Sequence, residues 1–291
     1  MAFNDLPFLM RLEMKKIMAL IVLTIFLLNT IPLSYANPTA DEILNGVRNR
    51  NDGSDYASNV TLNLIASDGD VRARKLYMLQ KDTENNEEKM LMYFHSPADV
   101  RGVGFLMEIY PEVADKVDNQ WMYFPAFRKI RRISANDKRG SFMGSTFSYA
   151  DMDKIRVTDY QSTLIGEEML FERPTWIIER IPVSQDVINK TGYHKTQVWI
   201  DKERHIELQQ HYFNAKDILF KTQQSIQVSQ IQGIWTIVKS VMKNTEKHKS
   251  SEMIFTNIKY NVDLDEQQIS KRTLKRGLHT SDIPALIQNK E

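Results

Sequence analysis

His205, Glu207 and His211 share parity on one candidate strand, so their side chains would point to one face, as a metal site requires. Ile206, Leu208 and Tyr212 occupy the opposite face. That marks the histidine face as the solvated one, and no nearby residue supplies a third ligand. His95, His194, His248 and His279 follow no spacing pattern. Gly144-Ser145 lacks the Gly-x-Ser-x-Gly elbow of a serine hydrolase, and Glu167 and Glu168 would face opposite ways on any strand. Phosphate loops and dinucleotide fingerprints are missing. The chain has no cysteine, which removes disulfides, thiolate ligands, a cysteine nucleophile and a lipid anchored through an N-terminal cysteine. Residue types suited to catalysis are present but never convene. The sequence predicts no metal, no cofactor and no enzyme.

The elements that carry these residues are almost all strands. One short helix comes first: Thr39 with Glu42 three residues later is a capping box, and Ile43, Leu44 and Val47 form one apolar face. Alternation of period two then runs from Val60 to Tyr260, cut by polar turns such as 67–70, 201–204 and 214–217. About a dozen strands on short turns predict one antiparallel meander, with no Pro/Gly-rich linker to split it. A sheet of that size must stack into a sandwich or curl into a barrel. The helix and the long segment 134–155 are the available plugs or lids. Residues 270–291 show little apolar patterning and read as a loosely held tail.

The first 36 residues read as a targeting segment. Lys15 and Lys16 precede an apolar run from Ile17 to Ile31, Pro32 breaks it, and Ser34-Tyr35-Ala36 places small residues at a signal-peptidase site. Translation starting at Met14 would fit that segment better than Met1. Cleavage after Ala36 predicts one exported, soluble domain over 37–291. The rival is an uncleaved anchor, against which stands an apolar run shorter than the roughly twenty residues of a membrane span. Of 291 residues, 42% are hydrophobic and 26% charged, the balance of a folded protein. A net charge of +1, falling to zero without the leader, gives no field for nucleic acid.

The stretch from Trp121 to Met152 is the most specific part of the chain. Aromatics on a short strand lead into a basic turn, and a loop rich in glycine and aromatics follows. A core strand with a solvated basic loop would explain it. So would a cavity wall of Phe105, Met107, Trp121, Tyr123, Phe127, Phe142, Met143, Phe147 and Trp176, beside a basic rim of Arg128, Arg131, Arg132, Lys138 and Arg139. Such a site suits an amphiphile with an acyl body and an anionic head.

This stretch resembles the LolA-like group of outer-membrane lipoprotein-sorting proteins, in its larger branch. The matching positions are Trp121, Tyr123, Pro125, Arg128, Arg131, Arg132 and Ile133, then Phe142, Met143, Gly144, Ser145 and Phe147, with support from Val198-Trp199-Ile200-Asp201 and Lys271-Arg272-Thr273-Leu274. The resemblance implies a mainly β fold, an incomplete antiparallel β-barrel of 11–12 strands with a helical or loop lid over a hydrophobic cavity. It also implies a periplasmic carrier of lipoprotein or lipid acyl chains, an inner-membrane exporter of the RND or ABC type as partner, and an outer-membrane acceptor. No single residue aligns with the mouth-lining arginine of the compact carriers. A non-carrier accessory protein of such a transporter and a periplasmic enzyme with an unrecognised motif remain the alternatives.

Overall fold

The computed structural model describes residues 37–291 except 85, 113–115, 286 and 288–291, and within the first 36 it describes Pro7, Met10, 12–14 and 16–18. Residues 1–38 and 39–291 are separate compact units. In the first unit Met10, 12–14 and 16–18 are helical, while the expected apolar run and cleavage site lie outside the described residues. No helix among the described residues is long and apolar enough to cross a membrane.

The second unit opens with helix α1 (Ala40–Arg48). Its capping box forms as the spacing predicts: the Thr39 amide donates to Glu42 Oε2 at 2.7 Å and the Glu42 amide to Thr39 Oγ1 at 3.2 Å. Thirteen strands follow: β1 (Asp55–Ile65), β2 (Val71–Asp82), β3 (Glu88–Ser96), β4 (Gly104–Ile109), β5 (Asn119–Phe124), β6 (Lys129–Arg132), β7 (Tyr160–Leu170), β8 (Arg173–Pro182), β9 (Lys195–Asp201), β10 (Glu207–Phe213), β11 (Leu219–Ile231), β12 (Ile234–Asn244) and β13 (Lys249–Tyr260). Helices α2 (Gln185–Thr191) and α3 (Lys271–Arg276) complete it. The count of thirteen stands just above the eleven or twelve expected, and even four-residue β6 pairs fully with β5. Strand β7 begins at Tyr160, after a 3-10 turn over Val157–Asp159.

All thirteen strands form one sheet in the order β6-β5-β4-β3-β2-β1-β13-β12-β11-β10-β9-β8-β7. The chain enters at the centre, walks to the β6 edge, crosses to the β7 edge, and walks back until β13 pairs with β1. Strands β6 and β7 each have one neighbour, so the barrel is incomplete. Because the crossover from Ile133 to Asp159 joins opposite edges, it must run over one face of the sheet.

Residues directly opposed across a ladder share a face. The register therefore places Val60, Leu76, Phe94, Phe105 and Met122 on the face that the crossover covers, here called inner. The outer face of β1–β5 carries Ala57, Leu79, Leu91, Leu106 and Trp121. Here the expectation for the tail fails. Ile269 and Leu274 are fully buried against this face, and Ile283 and Ile287 pack with them. The Asp55 carboxylate accepts the amides of Val262 (2.7 Å) and Leu264 (3.0 Å), which starts the segment across the sheet. A side chain at Gly104 would come within 2.6 Å of Leu274, so glycine sets how closely α3 approaches β4. These anchors are spaced without period, which is why the pattern hides them.

Candidate functional site

The crossover fills much of the inner face. Phe142 is fully buried, with ring centroids 5.1 Å from Phe105, 5.6 Å from Tyr149 and 6.3 Å from Phe94. Met143 beside it takes a left-handed backbone, φ 48°, which a non-glycine residue holds only when its surroundings fix it. Arg74 of β2 supplies part of that fixing by donating to the Met143 carbonyl at 2.5 Å. The amide of Thr146 donates to Ser251 Oγ at 2.9 Å, and Gln120 Nε2 donates to the Tyr149 carbonyl at 2.9 Å. Segment 142–149 is thus a plug tied to both sheet halves.

Two buried carboxylates of the crossover anchor its far end. Asp151 pairs with Lys221 of β11 and accepts from the Tyr193 hydroxyl at 2.6 Å, while Lys221 also donates to that hydroxyl at 2.6 Å. Burial, reinforced by the Asp151 charge, pushes the Tyr193 hydroxyl well above its ordinary range, so it stays a donor. Asp153 lies 2.8 Å from Lys138 and 3.3 Å from Lys190 of α2. Burial draws the Lys138 ammonium below its usual range even with Asp153 beside it.

Of the nine expected wall residues, Phe105, Met107, Phe142, Met143 and Phe147 meet on the inner face. They pack largely against one another. Trp121 and Tyr123 face outward instead, beneath the C-terminal segment, with the Lys271 ammonium 3.8 Å from the Trp121 ring centroid. Parity on β5 was misassigned because both faces of that strand are covered. Phe127 sits in the β5–β6 turn and is 71% exposed. Trp176 lies with Ile178, Val198 and Ile200 under α1, apart from the Phe142 group. We expect Tyr123→Asp to loosen the C-terminal segment, read as faster proteolysis within 262–287, and to leave any ligand of the inner face in place. Loss of ligand with an intact C-terminal segment would contradict this placement.

The expected basic rim also divides. Lys138 is buried on Asp153, Arg131 pairs with Asp137 at 2.9 Å, Arg132 donates to Asn119, and Arg128 lies in the exposed β5–β6 turn. Arg139 alone of the five lines a cavity described here. The histidine face dissolves as well, because a bulge between Glu207 and Gln209 breaks the shared parity. His205 precedes β10 with φ 50° and its ring lies 5.9 Å from that of Trp176, whereas the His211 ring lies tilted, 4.6 Å from that of Trp199. Among the described residues no three His, Cys, Asp or Glu side chains gather in a metal-binding group.

The open site lies at one end of the sheet, between the turns that follow β1 and β12, the start of β11, the end of α2 and segment 139–148. It is a mouth of about 580 Å³, within the range of small-ligand sites. Leu64, Ile65, Phe147 and Phe220 give it apolar walls. Phe220 reaches it through a bulge, since Tyr212 opposes Lys221 but Phe213 opposes Leu219. Tyr193 closes the inner end and also borders a second, polar cavity of about 300 Å³. Sequence reasoning found Phe147 and Arg139 here and missed Leu64, Phe220, Tyr193 and Lys221. An aliphatic or lysine on an alternating strand looks the same in a mouth as in any sheet.

A family model described only as that of an uncharacterized protein matches residues 86–276. A solved structure described as an outer membrane lipoprotein-sorting protein domain, from Vibrio parahaemolyticus, is similar at 27% identity and a TM-score of 0.74, covering 81% of this chain and 98% of its own. A DUF1329 family protein from Desulfovibrio piger is similar at 26% identity and a TM-score of 0.75, over 81% of this chain and 97% of its own. A LolA superfamily protein from Nitrosomonas europaea shares the fold at 18% identity and a TM-score of 0.60, over 81% of this chain and 99% of its own. No curated protein matches the sequence. With the family model spanning well over half its length and its fold shared with these relatives, the chain belongs to this LolA-like family.

Proposed function

We propose that this protein is an envelope carrier that shelters the acyl chains of a lipid or lipoprotein in the mouth and passes them between membranes. The observation that carries this reading is the open apolar mouth on the inner face of an unclosed sheet. The description of the Vibrio relative as lipoprotein-sorting supports it. Moving a sixteen-carbon chain from lipid into water costs roughly 12 kcal/mol at about 0.8 per CH₂. An apolar mouth offsets that cost, and a site no stickier than a bilayer still releases its cargo. The inner face beyond the mouth is already filled by the plug, so deeper entry of a chain requires the plug to move. A periplasmic location, an exporter of the RND or ABC type as donor and an outer-membrane acceptor complete the proposal.

The test is native mass spectrometry of protein purified from the cell envelope, with a fluorescent fatty acid as a second probe. Bound lipid is expected in the wild type and should be lost in Phe147→Asp and Phe220→Asp, because bound chains would desolvate the new carboxylate. Wild-type protein that is free of lipid and takes up no probe would sink the proposal.

A further inference from the structure

Resting on the carrier reading, we infer that the mouth selects lipids whose head group carries a net negative charge, a phosphodiester with no balancing cation, in preference to zwitterionic lipids and to the uncharged acylated end of a lipoprotein. Four exposed cations border it: Arg72 on β2, Arg139 on the crossover, and Lys247 and Lys249 at the β12–β13 turn. Among the described residues none of the four forms an ion pair, in a chain where most buried or half-buried cations do. Asp70 is the one acidic side chain in the described lining. Glu246 shares a turn with Lys247 but lies outside the lining and accepts from Asn214 at 3.4 Å. A fifth lining cation, Lys221, is already neutralised by Asp151. Free positive charge is therefore concentrated around an apolar cleft in a protein whose total charge is only +1.

The arrangement matches an amphiphile in both its parts. Chains against Leu64, Ile65, Phe147 and Phe220 would leave the head group level with the ring of cations. A phosphate there relieves the mutual repulsion of four like charges and gains hydrogen bonds from arginine and lysine. An uncharged head leaves that repulsion in place.

The experiment compares phosphatidylglycerol, phosphatidylcholine with the same acyl chains, and a triacylated cysteinyl peptide of no net charge, each competing with the fluorescent fatty acid on the full chain. Phosphatidylglycerol should be preferred by roughly tenfold at low salt, a factor that one or two well-placed cations supply. The preference should shrink in about 0.5 M salt, where screening acts within a few ångströms. Arg139→Glu with Lys249→Glu should abolish the preference, bringing phosphatidylglycerol down to the level of phosphatidylcholine or below it. Lys243→Glu, the same kind of charge change on an exposed β12 position outside the mouth, should leave the preference intact. Equal binding of all three, or preference for the peptide, overturns the inference while the carrier reading stands. An equal effect of Lys243→Glu also overturns it, since total charge would then explain the preference. If none of the three binds, both fall.

Discussion

Lys221→Met is expected to lower stability to urea unfolding by about 3–5 kcal/mol, the usual cost of removing one partner from a buried ion pair. The Lys221 side chain is 5% exposed and that of Asp151 2%, so the carboxylate left behind would have little water. Its remaining donors would be the Tyr193 hydroxyl and the Ser148 amide and hydroxyl. These are dipoles, which soften the loss without replacing a charge. Asp151 would then be driven to find solvent, drawing the crossover away from β11 and uncovering Tyr193, which with Thr191 borders both the mouth and the polar cavity. A second substitution, Asp151→Asn, should recover part of the loss by removing the stranded charge. A loss below about 1 kcal/mol for the single variant would place the pair in the class of solvated surface bridges and refute its role as an anchor.

Phe142→Ala should cost about 3–5 kcal/mol, the range for emptying a buried aromatic site. Phe142 packs against Phe94 and Phe105 of the sheet and against Tyr149 of its own segment, so its ring joins plug to sheet. Removing it leaves a cavity lined by β3, β4 and the plug, continuous with the packed inner face. Two readouts should change together. Unfolding should shift, and hydrogen exchange should rise first in 133–159, where the plug loses its main contact. The variant should also hold longer or additional acyl chains, because the space it opens lies on the same face as the mouth. Faster exchange in 133–159 with unchanged global stability would show instead that the crossover is a lid resting on an independently packed sheet.

The sequence displayed strands far better than faces. Alternation and polar turns located every strand to within a few residues, and parity on β4 correctly put Phe105 and Met107 together. The same reasoning failed one strand away, on β5. Trp121 and Tyr123 are large and apolar, so they looked like the buried side, while Met122 and Gln120 are the residues that face inward. On a strand covered on both faces, side-chain size does not reveal which cover is the plug and which the C-terminal segment. Charge was misread for a related reason. Lys138 belongs to a basic run in sequence, but its partner Asp153 lies 15 residues further on, and only the fold of the crossover brings them within 2.8 Å. Arg72 is separated from Lys247 and Lys249 by more than half of the chain and comes beside them because β1 lies between β2 and β13.

That central seam has a further consequence, for how the chain reaches its fold. Tyr56 opposes Tyr260 and Ile65 opposes Ser250, so the first strand completes its pairing only with the last. Every other ladder is a hairpin or a short connection between consecutive strands. Each half can therefore assemble from local contacts, whereas the seam closes a loop of nearly the whole domain and carries the largest entropy of closure. A chain appearing from its N-terminus can finish β1 to β6 early, yet it must leave one side of β1 unpaired until β13 arrives. During that interval the exposed edge is a template for mispairing. The vulnerable period in the life of this protein is its own synthesis, and its length is set by the distance along the chain between two adjacent strands.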